Sequence, residues 1–372
     1  MVSASLPAPA PGRTELLKAF EESRTGVRGL VESGVSSVPE IFRHPDPYAS
    51  IPLAPPGASI PVVDLSLPFP DAAAAAAAEA ARTWGFFHLV NHHRALPDQP
   101  AGDGGYPARA LAAVRAFNEL PAAERAPHYS RAVDGGVNYS TNVDLYNSPA
   151  ASCRDTIQIM LGPNRRPDLA DRIPTACRGE VLEWEARATA AARAVMGLLS
   201  EGLGLGAAAL EEASCVEGKV MACHYYPQCP EPERTMGIVP HTDPGVLTVL
   251  AQDEIGGLQV KHRDEEGRSC WVKPVPGALV INVGDLLQIM SNDKYTSVEH
   301  RVTMNTREEP RVSIAVFFSP GKRGDSFFYG PLPGLVSAEN PPKYRNSTMD
   351  EFFRTFFSRD LSSKALIDHF KL

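Results

Sequence analysis

His241, Thr242, Asp243, His300, Arg311 and Ser313 are the residues whose types and spacing could do chemistry in this chain. In an extended strand side chains alternate between faces, so the His241 imidazole and the Asp243 carboxylate can point the same way. A ligand from His300 would complete two imidazoles and one carboxylate around a single ion. That set leaves the other coordination positions open, the arrangement of a mononuclear Fe(II) centre that handles dioxygen. Arg311, Ser313, Ala315 and Phe317 share one face of the next extended run, and the polar stretch Met304 to Pro310 reads as a hairpin turn bringing Arg311 beside the metal. A guanidinium facing into a β core is costly unless an anion meets it. The anion is either a carboxylate of the chain or a bound dicarboxylate, one end of which the guanidinium fork and the Ser313 hydroxyl would hold.

These residues need strands to aim them. From Lys219 onward, Gly257 to Val260, Ser269 to Val275, Ala278 to Val283, Thr296 to Met304 and Arg311 to Phe318 carry the β-branched and aromatic residues of strands, broken by turn residues. Short strands at that spacing suggest two packed sheets, a sandwich or barrel. Ile60 to Leu65 and Trp84 to Val90 read as earlier strands. Arg13 to Val31, Asp71 to Arg82, 106 to 132, 178 to 205 and Met349 to Leu372 read as helices, with Phe352, Phe353, Phe356 and Phe357 as an apolar packing stripe. The expected division is 1–57, an N-terminal helix and proline-rich arm; 58–165, an N-terminal region; 166–216, a helical connection; 217–322, the metal-bearing core; and 323–372, a helical C-terminal segment.

The 372 residues, 43% hydrophobic, suffice for a large core. A formal net charge of -8, with both signs interspersed, argues against nucleic acid or an anionic membrane as the main partner. No apolar run is long enough to span a bilayer, and the start lacks a basic region followed by an apolar core, so the cytosol is the expected compartment. Six cysteines at irregular spacing read as reduced thiols rather than as staples or a zinc site.

Many ordered blocks resemble the plant Fe(II)- and 2-oxoglutarate-dependent dioxygenases: Gly85-Phe86-Phe87, Asn91-His92, Tyr225-Tyr226-Pro227, His241-Thr242-Asp243-Pro244, Gly256-Gly257-Leu258-Gln259-Val260, Asn282-Val283-Gly284-Asp285, Ser297 to Val302 and Arg311-Val312-Ser313. The resemblance covers about residues 58 to 360. Gly26-Val27-Arg28-Gly29-Leu30-Val31 and Asp368-His369-Phe370 are similar to the branch of 1-aminocyclopropane-1-carboxylate oxidase homologues, which includes benzoxazinoid-glucoside dioxygenases and desacetoxyvindoline 4-hydroxylase.

The resemblance implies a mixed α and β fold with a double-stranded β-helix, or jelly-roll, core and flanking helices. It implies His241, Asp243 and His300 as iron ligands, Arg311 and Ser313 with Tyr226 on the distal carboxylate of 2-oxoglutarate, and Phe317 in the substrate pocket. Tyr139, Asn142, Asp144 and Val246 are further expected pocket residues. The implied reaction consumes 2-oxoglutarate and O2 and oxidises a C–H bond of a small specialised metabolite, giving succinate and CO2, with ascorbate as reductant. A monomer acting on a small molecule is expected. His224 departs from the asparagine of many relatives and reads as tuning or as a further ligand. Two rivals keep the iron triad or the fold: 1-aminocyclopropane-1-carboxylate oxidation, which uses ascorbate in place of 2-oxoglutarate, and a non-catalytic ligand-binding protein. The N-terminal extension disfavours the first and the intact ligands and clamp the second.

Overall fold

The computed structural model describes residues 12–45, 59–67, 70–95, 105–132, 135–142, 145–146, 148–261, 269–273, 275–358 and 365–372. Asp144, the proline-rich arm beyond residue 45 and most of the stretch Pro97 to Pro107 lie outside them. The strands are β1 (Val62–Asp64), β2 (Phe86–Val90), β3 (Val137–Thr141), β4 (Asp155–Gly162), β5 (Gly218–Tyr226), β6 (Met236–His241), β7 (Leu247–Gln252), β8 (Leu258–Lys261), β9 (Ser269–Trp271), β10 (Leu279–Val283), β11 (His300–Thr303) and β12 (Arg311–Ser319). They form a larger sheet, β1-β2-β10-β7-β12-β5-β4-β3, and a smaller one, β6-β11-β8-β9. Among the described strand pairs, only β1 and β2 run parallel.

Period-two alternation sorts the larger sheet into two buried faces. Phe87, Tyr225 and Ile281 belong to the cluster that packs on the helices Pro70–Thr83 and Arg178–Gly202. Their neighbours Phe86, Tyr226 and Val280 turn the other way, toward Leu258, Val260 and Val302 of the smaller sheet. In the helix Arg178–Gly202, Val181, Trp184, Ala188, Ala191, Val195 and Leu199 are buried at the three- and four-residue spacing of one helical face. The result is the double-stranded β-helix with flanking helices that the resemblance implies. Among the described residues no helix is long and apolar enough to cross a membrane.

Several expected elements take a different form. β11 and β12 are not a hairpin: β11 lies in the smaller sheet between β6 and β8, whereas β12 lies in the larger sheet between β5 and β7. The stretch Met304 to Pro310 therefore crosses between sheets, and Arg311 lines the same cavity as the two histidines from the opposite sheet. β3 and β4, at the far edge of the larger sheet, carry polar residues that blur strand alternation in the sequence. The helix expected over Met349 to Leu372 is described as two, Met349–Phe357 and Ala365–Phe370; in the first, Phe352 is fully buried and Phe357 is 73% exposed.

The N-terminal helix is broken into Arg13–Ser23 and Gly26–Glu32, with Arg24 in a left-handed conformation at φ 52°. The break has a physical cause in the buried carboxylate of Asp155. It accepts the backbone N–H groups of Val27 at 2.8 Å and Arg28 at 2.9 Å, and the Thr141 hydroxyl, so that it closes the open end of the second helix. Gly26 makes this possible: its φ is +68°, and a Cβ there would stand 2.5 Å from Asp155 Oδ1. The helices then bury Leu17, Phe20 and Val27 against Cys153 and Met304. Replacing Asp155 by Ala strands three donors; the expected loss is roughly 2–4 kcal/mol in denaturant unfolding, with faster proteolytic cleavage within residues 13–32. An unchanged midpoint and cleavage rate would refute the anchor.

Candidate metal and dicarboxylate site

His241 is the last residue of β6 and His300 the first of β11, and the two pair directly across the smaller sheet. Asp243 is not in a strand, contrary to the expected alternation; it sits in the loop between β6 and β7. Loop closure aims it instead. Asp285 donates its N–H to the Asp243 carbonyl at 2.7 Å and accepts the Thr242 hydroxyl at 2.9 Å. Gly284 lets the next turn come this close, because a Cβ there would lie 2.1 Å from the Gly245 carbonyl oxygen.

Hydrogen bonds then select which ligand atoms remain. Nδ1 of His241 lies 2.9 Å from the Val239 carbonyl, and Nδ1 of His300 lies 3.3 Å from that of Val298. A carbonyl can only accept, so Nδ1 carries the proton in each ring and Nε2 presents its lone pair. Asp243 Oδ2 accepts the Thr248 hydroxyl at 2.6 Å and the Asn282 amide at 2.8 Å, which leaves Oδ1 toward the rings. Oδ1 stands 3.6 Å from His241 Nε2 and 3.7 Å from His300 Nε2, beyond hydrogen-bonding distance. Together they form the one group among the described residues able to gather three ligand atoms on a metal ion, all within 4.8 Å. Burial and then the neighbouring His300 hold His241 down to about 4, in its neutral, ligating form. Burial pushes the Asp243 carboxyl up, but His300, His241 and its two donors outweigh it and keep it below the ordinary carboxylate value. Two imidazoles and one carboxylate suit a divalent cation.

Arg311 opens β12, opposite Tyr226 of β5, with Ser313 opposite His224. The guanidinium is 1% exposed. Its Nη1 donates to the Ser313 hydroxyl and its Nη2 to Gln252 Oε1, each at 3.0 Å, and its carbon stands 4.8 Å from the centre of the Tyr226 ring. Among the described residues no carboxylate forms an ion pair with it, so the internal-anion alternative is not realised. Its Nε and the buried Tyr226 hydroxyl have no partners. A buried cation with unused donors around it fits an anionic ligand.

His241, Asp243, His300, Arg311, Ser313, Tyr226 and Phe317 all line one cavity. Three expected pocket residues, Tyr139, Val246 and Asn142, do not, and all are corrections. Tyr139 is core: it donates to Asn118 at 3.3 Å, and its ring meets Phe117 edge-on at 5.0 Å. Val246 is fully buried in the same apolar cluster, on the far side of the larger sheet. Asn142 lies beyond the end of β3, buried, outside the residues that line the cavity. Thr248, Asn282 and Phe86, whose ring stands edge-on to His300 at 5.2 Å, were given no role by sequence reasoning. The available signal was a polar residue inside an apolar strand, as at Asn282 between Ile281 and Val283.

Asn282 tests the orienting shell. With Ala there, Asp243 loses one of the two donors that turn Oδ1 toward the rings, and metal affinity should fall by about 10–100-fold in a titration, with the fold retained. Unchanged affinity would show that the carboxylate needs no such support.

Residues 217–320 match the model of the 2OG-Fe(II) oxygenase superfamily, and residues 60–175 match that of the non-haem dioxygenase in morphine synthesis N-terminal. The chain is 41% identical over 371 residues to 1-aminocyclopropane-1-carboxylate oxidase homolog 3 of Arabidopsis thaliana, with 97% of each chain covered. Homolog 1 of the same plant is 37% identical over the full length of both. Among solved structures, JOX2 in complex with 2OG, Fe, and JA is 30% identical with a TM-score of 0.76, covering 93% of this chain and 97% of that one. The dioxygenase for auxin oxidation in rice is 26% identical with a TM-score of 0.67, covering 84% and 100%. With a His-Asp-His group gathered on this fold, the chain belongs to the 2OG-Fe(II) oxygenase superfamily and is a 2-oxoglutarate-dependent dioxygenase that uses Fe(II), 2-oxoglutarate and O2.

Proposed function

We propose that the enzyme, acting in the cytosol, hydroxylates a C–H bond of a small specialised metabolite, with His241, Asp243 and His300 as the iron ligands and Arg311, Ser313 and Tyr226 as the clamp on the distal carboxylate of 2-oxoglutarate. The observation that carries this reading is the Arg311 guanidinium, buried beside the triad without an anion of the chain. Small molecules also feature in two structural relatives, one crystallised with JA and one described by auxin oxidation.

When bound, iron and 2-oxoglutarate supply the oxidising chemistry: 2-oxoglutarate, O2 and R–H become succinate, CO2 and R–OH. The chain's residues do the positioning. The Nδ1 bonds to Val239 and Val298 keep both imidazoles in one tautomer, and Thr248 and Asn282 hold Asp243, so no ligand must reorient on binding. Arg311 fixes one end of the cosubstrate and Ser313 and Gln252 fix Arg311, which sets the distance from clamp to metal. Phe86, Leu250 and Leu258 line the cavity with apolar surface and limit water. Phe317 is the proposed contact to the metabolite.

His241→Ala should abolish metal-dependent succinate formation from 2-oxoglutarate with Fe(II) and ascorbate across a panel of metabolites. Arg311→Ala should raise the 2-oxoglutarate requirement by roughly 30-fold or more, the effect of removing one partner from a buried charged contact. An unchanged KM for 2-oxoglutarate in Arg311→Ala would sink the clamp assignment. Ethylene formation without 2-oxoglutarate would instead establish the oxidase reading.

A further inference from the structure

A second buried arginine lies on the same inner face. Arg154 precedes β4, whose alternation turns Asp155 outward to the N-terminal helix and Thr156 inward, where its hydroxyl meets His224 Nδ1 at 3.0 Å. By the same alternation Arg154 shares the Thr156 side, with the cavity-lining His224 and Tyr226 on the neighbouring strand. Its Nη1 crosses to the smaller sheet and donates to the Gly237 carbonyl at 3.0 Å, just before the cavity-lining Ile238.

Arg154 is only 8% exposed, yet among the described residues no carboxylate pairs with it and its Nε has no partner. The last register pair of β3 and β4 is Thr141 with Asp155, and the chain leaves the strand at Asn142, whose φ is 45°. Asn142 is 1% exposed, and neither its amide nitrogen nor its amide oxygen has a partner. Unsatisfied buried donors cost on the order of 1–3 kcal/mol each, and more when charged. One guanidinium bond to a carbonyl would tie the sheets together without leaving three further polar atoms unused. The inner face thus holds two guanidinium groups, Arg311 at the start of β12 and Arg154 at the start of β4, and one cosubstrate accounts for the first.

We propose that Arg154 receives a carboxylate of the primary substrate, so that this dioxygenase oxidises small organic acids rather than their neutral counterparts. The assignment rests on the dioxygenase reading above and names its substrate class. A guanidinium already held at one corner by Gly237 presents its remaining donors in a fixed plane, which suits a carboxylate and not an amide. The substrate's far end would then point along the inner face toward the triad.

The test is a panel of small aromatic and alicyclic carboxylic acids, each paired with its primary amide, scored by stimulated succinate release and by kcat/KM in wild type, Arg154→Lys and Arg154→Gln. Wild type should favour acids over amides by about tenfold or more, Arg154→Lys should keep that preference in weakened form, and Arg154→Gln should reduce it below about threefold. Amides matching acids in wild type, or no stimulation by any member, overturns the assignment; so does a raised KM for 2-oxoglutarate in Arg154→Gln with the acid preference unchanged, which would give Arg154 to the cosubstrate. If Arg154→Gln does not fold, the wild-type ratio and Arg154→Lys decide. Substrate-free, Fe(II)-dependent succinate formation in wild type separates the two levels: its absence counts against the dioxygenase reading, and its presence without an acid preference counts against Arg154 alone.

Discussion

A carboxylate buried between two sheets must be held from every side, and Asp243 is the point on which that constraint falls. One oxygen accepts from Thr248 on β7 and Asn282 on β10; the other is left to face two imidazoles on the smaller sheet. Burial alone would protonate the group, and its neighbours reverse that tendency. The loop carrying it is pinned by Asp285, which itself needs Gly284 to approach. Both sheets therefore converge on one carboxylate, and the sandwich geometry and the ligand geometry are the same requirement.

Charge is distributed around this point in a consistent way. The negative group sits between the sheets, and Arg311 and Arg154 flank the inner face at the starts of β12 and β4. Each arginine is anchored at part of its fork by a neutral acceptor, Gln252 or Ser313 for one and the Gly237 carbonyl for the other. A neutral anchor fixes direction without neutralising the charge, so each retains its demand for an anion. The Arg154-Asp155-Thr156 triplet joins this arrangement to the N-terminus. Asp155 points outward to the helix Gly26–Glu32, and its two neighbours point inward, so the N-terminal helices dock directly behind the proposed substrate end of the site.

The chemistry was far more legible in the sequence than its geometry. His241, Asp243, His300, Arg311 and Ser313 are chemically distinctive, and their spacing already suggested one ion and one anion. Period-two reasoning succeeded along β12, where Arg311, Ser313, Ala315 and Phe317 do share the cavity face. It failed between His241 and Asp243, because a loop held by tertiary hydrogen bonds, not strand pleating, aims the carboxylate. It also failed at Met304 to Pro310, because a polar connection between strands looks alike whether it turns back or crosses to another sheet. Tyr139 and Val246 carry no local mark distinguishing a core residue from a pocket residue; only the sheet face to which they belong decides it. Arg154 beside Asp155 carries no local mark of which face each takes; the strand turns the two apart.

A crystal structure of the protein grown without oxygen, with Mn(II) in place of iron and with 2-oxoglutarate, tests the central claim most directly. The expected result is one metal ion on His241 Nε2, Asp243 Oδ1 and His300 Nε2, with the distal carboxylate of 2-oxoglutarate on Arg311 and Ser313 and with Asp243 Oδ2 still bonded to Thr248 and Asn282. A metal bound elsewhere, an Asp243 carboxylate turned away from Thr248 and Asn282, or a distal carboxylate seated on Arg154 would contradict the account.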